Sequence, residues 1–259
     1  MGVFQNHLMG AAAAAAAGGG DFYSYQINQS CRFDSADSCS LSSSHFSSGN
    51  TKNFTVSFWF KRSLESGSSY PLAFLTGNAN NNQLAIFEGQ LYNQKDGYGL
   101  HSNGLYRNFN GWYHAVYAFD IDNGTADNRL RIYINGDEVT SWATNQRSSF
   151  SGDSDFNTGT NYIGRNPQNS ASHYDGYLAE FIMIEGQQLT PSSFGETKNG
   201  VWIPKNPSSL TFGSNGYYLK FENDSDLGND SSGNNNDWTA TNMNPDHQVI
   251  DTPTTGAGS

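Results

Sequence analysis

The sequence predicts an all-β fold, in which two antiparallel sheets form a sandwich behind a short N-terminal arm. Apolar and polar side chains alternate with a period of two in several short runs, as is typical of strands with one buried face. Polar turns join these runs, and Asn135-Gly136 supplies the positive φ angles of a tight type I′ hairpin. The chain has 259 residues, of which 28 are Gly and 14% are aromatic, and this profile favours a sandwich or a barrel.

The predicted strands follow one another between residues 23 and 221, and Gly, Asn, Ser or Pro clusters bound each of them. They are YSYQI from Tyr23, FTVSFWF at 54–60, PLAFL at 71–75, NQLAIFEG at 82–89, two runs within 110–142, TNYIG at 160–164, GYLAEFIMIEG at 176–186 and GYYLKF at 216–221. Large aromatic residues in such runs normally face a packed layer, so Trp59, Trp112 and Phe181 are predicted to be core residues rather than part of a binding groove. One short helix is predicted at TPSSF, with Thr190 as its N-cap and Pro191 in the first helical position.

Composition divides the chain into three regions. Residues 1–20 form an Ala- and Gly-rich docking arm, residues 21–245 carry the strand pattern, and residues 246–259 form a polar C-terminal tail that we expect to be loose. Phe4, Leu8 and Met9 give the arm an apolar helical face, and so short a helix needs a surface on which to dock. A secretory signal is the alternative interpretation, but no Lys or Arg precedes Arg32, so the charged region of such a signal is missing.

Charge and cysteine content restrict the classes of function. The net charge is −11 and no Lys/Arg cluster occurs, which argues against binding to the phosphate backbone of a nucleic acid. No apolar run approaches the ~20 residues that a membrane-spanning helix needs. Cys31 and Cys39 are separated by seven residues, which allows a disulfide across a hairpin loop. Two cysteines in a chain of this length are not a disulfide framework, so two buried thiols are the favoured interpretation.

Five segments in a fixed order resemble a known family. They are FTVSFWFK (54–61), GWYHAVYAFD (111–120), LRIYINGDEV (130–139), NYIG (161–164) and YDGYLAEFIMIEGQQLTPSSF (174–194). Together they resemble the concanavalin A-like jelly-roll domains of the laminin-G and pentraxin type, over residues 23–194. The resemblance implies an all-β, antiparallel two-sheet jelly-roll sandwich whose first and last strands are adjacent.

A second, narrower resemblance involves two segments. YQINQSCRFDSADSCSL (25–41) and GVWIPKNPSSLTFGSNGYYLKFENDSDLGNDSSGNNNDW (200–238) are similar to jelly-roll proteins carried on the virions of tailed phages, many of them marine. The resemblance implies a virion protein that is assembled in the host cytoplasm. We expect the arm to bind other virion proteins, of the capsid or the tail, and the protein to be a homo-oligomer in the particle. Cys31 and Cys39 have no role in this family.

Some concanavalin A-like folds are glycoside hydrolases, and their retaining members place two carboxylates about 5–5.5 Å apart. The similar glucanases carry both on one strand with an acidic residue between them, and Glu180 and Glu185 are the candidates here. Ile182 stands where the middle Asp would be, and without a bulge a five-residue offset sends the pair to opposite faces. We therefore predict no catalytic residues. A glycoside hydrolase or a polysaccharide lyase is the alternative.

Two oxygen-rich loops are candidate metal sites, and calcium is the ion that prefers their Asp and Asn oxygens. One loop contains Asp153, Asp155 and Asn157, and the other contains Asp224, Asp226 and Asp230. Turns in which these side chains cap their own backbone are the alternative interpretation. No motif in the sequence requires another cofactor.

Sugar binding needs an exposed aromatic ring with polar groups around it. Trp142, Tyr162, His173 and Tyr174 lie in or beside predicted loops and are the candidate glycan-binding residues. The sequence thus predicts a non-catalytic structural protein of a phage virion. It would be a head decoration protein, or a fibre or adhesin module with weak affinity for host-surface polysaccharide. A secreted lectin is a third interpretation.

Overall fold

Two antiparallel sheets of eight strands each form a sandwich in the computed structural model, which describes residues 22–46, 49–65, 71–77 and 82–255. The first sheet has the order β10 (Asp137–Glu138), β9 (Leu130–Ile134), β8 (Tyr113–Asp120), β3 (Asn53–Arg62), β15 (Gly176–Glu185), β1 (Ser30–Phe33) and β20 (Gln248–Val249), and β18 (Tyr217–Leu219) also pairs with β15. The second sheet has the order β11 (Trp142–Asn145), β7 (Tyr98–Ser102), β6 (Gln90–Lys95), β5 (Gln83–Phe87), β4 (Leu72–Thr76), β12 (Asn161–Ile163), β2 (Ser40–Ser43) and β19 (Thr239–Thr241). The predicted two-sheet sandwich is confirmed, and the first and last strands, β1 and β20, are neighbours.

Two hairpins and several 3-10 turns complete the described part of the chain. The hairpins are β13 (Arg165–Asn166) with β14 (Asn169–His173), and β16 (Gly195–Lys198) with β17 (Val201–Pro204). The turns are Ala126–Asn128, Arg147–Ser149, Asp155–Asn157, Pro191–Ser193, Pro207–Ser209 and Pro245–His247. The helix predicted at TPSSF is one of these turns, with Thr190 at its N-cap, but the Thr190 side chain accepts no backbone N–H of the turn. Within the described residues, no helix is long and apolar enough to cross a membrane.

The core lies between the two sheets because alternate residues of each strand point inward. β3 buries every second residue from Phe54 to Phe60 in this core. The Phe58 ring stacks on Phe181 of β15 with centroids 4.8 Å apart, and it meets Phe74 of the second sheet at 5.1 Å. Burial of one such ring contributes roughly 1.5–3 kcal/mol, so this aromatic layer holds the sheets in register.

The outer face of the first sheet is covered by later segments of the chain. Val116 and Ile182 point outward and are buried in one cluster with Phe194, which follows the turn Pro191–Ser193. Trp202 of β17 lies over the same face and donates from Nε1 to Nδ1 of His114 at 3.1 Å. A third layer therefore shields this sheet, whereas Phe87, Tyr92 and His101 on the outer face of the second sheet stay partly exposed.

The three aromatic residues predicted to lie in the core occupy two different layers. Phe181 lies between the sheets, as predicted. Trp59 is buried on the outer face of the first sheet with Ile27, and Trp112 is partly buried against the same small cluster. None of the three lines an open groove, because the third layer fills the space above the two tryptophans.

The two ends of the folded region differ from the sequence prediction. YSYQI at 23–27 is not a strand but an irregular segment that lies over the first sheet and buries Ile27. The predicted polar tail from residue 246 includes a strand, because its Gln248–Val249 forms β20. Thr254 Oγ1 accepts the backbone N–H of Ile27 and donates to its carbonyl oxygen, both at 3.0 Å. Threonine hydroxyls thus replace ladder hydrogen bonds and hold the two ends together.

Cys31 and Cys39 are free thiols, and both are buried. The Cys39 sulfur lies 3.0 Å from the carbonyl oxygen of Asn242 and 3.2 Å from Nε2 of His247. The backbone N–H of Asn244 donates to Nδ1 of His247 at 3.1 Å, which holds the ring beside the sulfur. Both bonds satisfy a buried thiol, in agreement with the interpretation favoured from the sequence.

Candidate functional site

The outer face of the second sheet carries aromatic rings on three neighbouring strands. Phe87 on β5, Tyr92 on β6 and His101 on β7 each follow a buried core residue, so strand alternation turns them outward. The Tyr92 and His101 rings stack with centroids 4.1 Å apart, and Phe87 meets Tyr92 edge-on at 5.8 Å. All three side chains are partly exposed. Their rings form a continuous aromatic surface.

Polar uncharged side chains flank this aromatic surface. Gln90 and Gln94 point outward on either side of Tyr92 along β6, and Thr144 of β11 pairs with His101 at the edge of the sheet. We call the surface of Phe87, Gln90, Tyr92, Gln94, His101 and Thr144 the outer platform. The four strands β5, β6, β7 and β11 span about 14 Å at roughly 4.8 Å per strand interval. The platform is long enough to contact more than one ring of an extended ligand.

The hairpin β13–β14 borders the outer platform on its other side. Thr76 Oγ1 donates to the backbone carbonyl of Arg165 at 2.9 Å, and Asn166 Nδ2 donates to Gln83 Oε1 at 3.4 Å. Gln83 Nε2 in turn donates to Gln94 Oε1 at 2.6 Å. These hydrogen bonds connect the hairpin to the sheet and, through Gln83, to Gln94 of the platform. They hold Gln94 in place.

The outer platform is electrically neutral. None of its six residues is Asp, Glu, Lys or Arg. Burial lowers the pKa of His101, so its imidazole is uncharged at neutral pH. Burial also raises the pKa of Tyr92, so its hydroxyl keeps its proton. The platform therefore offers aromatic faces with neutral hydrogen-bonding groups.

The residues predicted to bind glycan do not come together. Tyr162 is partly exposed on β12, where the guanidinium of Arg165 lies 5.1 Å from the centre of its ring. Trp142 packs against the core at the far edge of the same sheet, and the Arg147 guanidinium lies 5.1 Å from its ring. Five strand intervals separate β12 from β11. The two rings therefore belong to different surfaces.

The prediction for His173 and Tyr174 needs correction, because both side chains are buried. Tyr174 lies in the core against Phe74, and its hydroxyl donates to the carbonyl oxygen of Lys61 at 2.8 Å. The position beside an Asn- and Ser-rich loop suggested exposure, but β14 ends at His173 and carries the chain back under the sandwich. Neither residue can stack on a sugar.

Sequence reasoning missed the platform residues although a signal was present. Gln90, Tyr92 and Gln94 alternate along β6 with inward residues, which is the pattern of a strand with one exposed face. Two of the inward residues, Asn93 and Lys95, are polar, so the contrast between the two faces is weak. Only the burial of Asn93 and Lys95 in the fold shows that Gln90, Tyr92 and Gln94 are the outward residues.

The first predicted metal loop uses its oxygen atoms within the protein. Asp153 Oδ1 accepts from the Thr51 hydroxyl at 2.6 Å, and Asp155 Oδ2 accepts from Asn82 Nδ2 at 3.0 Å. The ammonium group of Lys95 donates to the backbone carbonyls of Ser151 and Asp153. A calcium ion would compete with this positive charge for the same oxygens, so the loop as folded does not fit the ion. The side chain of Asn157 lies outside the described residues.

The second predicted metal loop separates its aspartates. Asp230 is buried, and its carboxylate accepts the backbone N–H groups of Tyr218, Ser232 and Asn236 at 2.8–2.9 Å. Asp224 and Asp226 are exposed at a neighbouring turn. In the part of the chain that the structure describes, no three His, Cys, Asp or Glu side chains converge to hold a metal ion.

The two candidate catalytic carboxylates have separate environments. Glu180 lies at a bulge of β15 with a φ of 48°, and it accepts hydrogen bonds from the hydroxyls of Tyr25 and Tyr218. Burial raises its pKa to about 7, against the lowering effect of the Tyr218 hydrogen bond. Glu185 instead accepts the backbone N–H groups of Asn50 and Asn215 at 2.7 and 3.0 Å. Among the described residues, the two carboxylates have different hydrogen-bond partners.

Comparison with known proteins identifies the fold family. The family model of the concanavalin A-like lectin/glucanases superfamily, of laminin-G type, matches residues 33–193. A Bacteroides ovatus protein, named as a candidate carbohydrate-binding protein, is 16% identical with a TM-score of 0.58 over 83% of this chain, which spans 58% of that protein. The SAP-like pentraxin of Limulus polyphemus is 15% identical with a TM-score of 0.46, covering 64% of this chain and 80% of its own.

Domain 4 of the extracellular arabinanase AbnA from Geobacillus stearothermophilus is 18% identical with a TM-score of 0.40, covering 56% of this chain and 65% of that domain. No curated protein matches the sequence. At 16% identity the Bacteroides ovatus structure shows the fold alone, in agreement with the two-sheet sandwich described above. The family model covers more than half of the residues, and the chain therefore belongs to the concanavalin A-like lectin/glucanases superfamily.

Proposed function

We propose that this protein is a non-catalytic module that binds polysaccharide through the outer platform. The observation that carries the proposal is the stacked pair of Tyr92 and His101, which is partly exposed and has Phe87 beside it. Aromatic rings pack against the apolar C–H faces of sugar rings, while Gln90 and Gln94 lie where amide groups would meet hydroxyls. The named role of the Bacteroides ovatus protein is consistent with this proposal.

The charge of the platform favours a neutral polysaccharide. The six platform residues are uncharged at neutral pH, while the chain as a whole carries a net charge of −11. A polyanionic glycan would meet general repulsion and no cation on the platform to offset it. A neutral glycan is not repelled by the net negative charge, so we expect it to bind more tightly than a polyanionic one.

The absence of catalysis is proposed from the separation of Glu180 and Glu185. A retaining hydrolase needs two carboxylates at one substrate bond. Glu180 instead faces Tyr25 and Tyr218 beneath the third layer, and Glu185 is bound by backbone N–H groups at the end of β15. Turnover of a polysaccharide that Glu180→Gln abolishes would contradict this part of the proposal.

Substitution of Tyr92 by alanine tests the binding proposal. Affinity electrophoresis against neutral and anionic polysaccharides should show retardation of the wild type, chiefly by neutral ones. Tyr92→Ala should weaken binding by at least about tenfold, which corresponds to roughly 1.4 kcal/mol. Tyr98→Ala is the matched control, because Tyr98 is 42% exposed at the β6–β7 turn and lies off the platform. Equal binding of wild type and Tyr92→Ala to every glycan that binds would place the site elsewhere.

The second part of the proposal is a structural role on the particle of a tailed phage. It rests on the resemblance of residues 25–41 and 200–238 to virion proteins. These two segments contact each other in the fold, since the hydroxyls of Tyr25 and Tyr218 are 2.9 Å apart and Asn28 Nδ2 donates to Glu222 Oε1 at 3.2 Å. The two segments that resemble virion proteins thus pack against each other in the fold.

The arm at residues 1–20 is the proposed attachment segment. Phe4, Leu8 and Met9 lie outside the described residues, so their docking role stays a prediction. Deletion of residues 2–20 should leave the melting temperature nearly unchanged, because the first described strand of the sandwich begins at Ser30. It should also remove the protein from purified particles of its phage. A truncated protein that is still incorporated at the normal copy number would exclude the arm as the docking segment.

A further inference from the structure

Asn-Gly pairs are the places in this chain where a modification needs no enzyme. The backbone nitrogen of the glycine can attack Cγ of the asparagine side chain, and a residue without Cβ leaves that nitrogen accessible. Six such pairs occur, and their asparagines are Asn103, Asn110, Asn123, Asn135, Asn199 and Asn215. All six pairs lie within the described residues, so the environments of their side chains can be compared.

Hydrogen bonds hold the side-chain amides of three of these asparagines. Each amide nitrogen donates to an oxygen atom of another side chain, from Asn103 to Ser141 at 2.9 Å, from Asn123 to Asp120 at 2.9 Å and from Asn215 to Glu185 at 3.1 Å. Asn215 is also only 1% exposed. Such a bond must break before Cγ can turn toward the glycine nitrogen, which slows the attack by roughly two- to tenfold.

Two further asparagines, Asn135 and Asn199, begin hairpin turns with φ angles of 50° and 52°. Left-handed backbone of this kind has a ψ of about +47°. The nitrogen of the following glycine then lies on the opposite side of the Cα–C bond from Cβ, out of reach of Cγ. The turn must open before the attack can occur, and Asn135 Oδ1 also accepts the backbone N–H of His114 at 2.8 Å.

Asn110 lies in the loop between β7 and β8, and neither restraint applies to it. It is exposed, and its φ angle is not positive. Its backbone N–H donates to Asn108 Oδ1 at 2.8 Å, which fixes the turn but leaves the Asn110 side chain uncommitted. Among the described residues, neither the Asn110 amide nor the N–H of Gly111 has a hydrogen-bond partner. Both reacting groups are therefore available.

We propose that Asn110 is a site of spontaneous deamidation to aspartate and isoaspartate. Hydroxide removes the proton of the Gly111 N–H, the nitrogen forms a bond with Cγ of Asn110, and the amide NH₂ group leaves as ammonia. Water then opens the cyclic imide at either carbonyl, so the product is aspartate or isoaspartate, and no oxidant or reductant takes part. Each conversion adds one negative charge to a loop whose Tyr106 N–H donates to the carbonyl of Gly89 at 2.7 Å, next to the platform residue Gln90.

The test is peptide mapping by mass spectrometry after the full folded chain has stood in mildly alkaline buffer. Asn110 should deamidate at least about threefold faster than each of the other five asparagines, as expected when those must first lose a hydrogen bond or a turn. In denaturant the six rates should converge, because every site then presents the same Asn-Gly pair without its fold. Conversion that is as fast or faster at any of the other five sites in the folded chain would overturn the proposal.

Gly111→Ala gives a second, independent test, because a methyl group beside the attacking nitrogen hinders the reaction. Isoelectric focusing of the wild type should show an acidic form that accumulates with time, and Gly111→Ala should remove most of it. Gly124→Ala is the matched control, since Gly124 follows Asn123 and a Cβ there meets no atom within 4 Å. This control should acidify like the wild type. An undiminished acidic form in Gly111→Ala would contradict the proposal.

Discussion

Glu180→Gln should remove a pH dependence of stability that the wild type carries between about pH 4.5 and pH 7. The Glu180 carboxyl is 6% exposed and lies between the hydroxyls of Tyr25 and Tyr218. Burial raises its pKa from 4.5 to about 7, although the hydrogen bond from Tyr218 and the charge of Lys220 act in the opposite direction. The neighbouring Glu222 adds a small upward contribution. Folding therefore favours the protonated form of the Glu180 carboxyl over the ionised form.

The direction of the effect follows from proton linkage. Between pH 4.5 and 7 the folded state holds a proton that the unfolded state has already released, so the free energy of unfolding falls as the pH rises. Below this window both states are protonated and the carboxyl contributes nothing. Above it the full penalty applies, on the order of 3 kcal/mol, since one pKa unit corresponds to about 1.36 kcal/mol. Glutamine resembles the protonated acid, so the variant should lack the penalty.

Denaturant unfolding at pH 5, 6, 7 and 8 measures this difference. The two proteins should have similar stability at the acid end, and Glu180→Gln should be more stable by up to about 3 kcal/mol at pH 8, or roughly 6–12 °C in melting temperature. Glu222→Gln is the control, because its carboxylate is exposed yet adjacent. Parallel stability curves for the wild type and Glu180→Gln would refute the reasoning, because they would mean that Glu180 is ionised in the folded state throughout.

Three further predictions concern the packing of the layers. Phe58→Ala should destabilise the fold by about 3–5 kcal/mol in denaturant titration, because it empties the aromatic layer between the sheets; a loss below 1 kcal/mol would be inconsistent with that packing. Gly164→Ala should cost roughly 1–3 kcal/mol, since φ is +85° there and a Cβ would clash with the Phe33 ring; an unchanged melting temperature would contradict this contact. Trp202→Phe should cost about 1–2 kcal/mol by leaving Nδ1 of buried His114 without its donor, and fluorescence-monitored unfolding would show no change if that bond were absent.

The sequence was sufficient for the fold because its signals are local. Alternation in FTVSFWF and GYLAEFIMIEG predicted β3 and β15, the two central strands of the first sheet. Asn135 and Gly136 have φ angles of 50° and 88°, as the predicted hairpin requires. Turn chemistry and side-chain period act over a few residues, and they hold at these positions, whereas the predicted strand YSYQI at 23–27 is irregular.

The candidate site was not predictable in the same way, because exposure depends on distant parts of the chain. Trp59 and Tyr92 are both outward aromatic residues of strands, yet residues near the two ends of the domain cover only Trp59. Tyr25 and Glu180 are hydrogen-bonded across 155 residues. A local sequence pattern does not predict which outer sheet face a distant segment will cover. That coverage determines which aromatic residues are accessible to a ligand.

β6 connects the outer platform to the interior of the sandwich. Tyr92 and Lys95 are three residues apart on β6, so one points to the outer platform and the other to the sandwich interior. The bonds of Lys95 to Ser151 and Asp153 hold the end of this strand, and the register with β7 places His101 against Tyr92. A rigid stacked pair loses little conformational entropy when a glycan binds. Lys95→Ala should therefore weaken glycan binding as well as stability, and an unchanged glycan affinity in that variant would contradict this link.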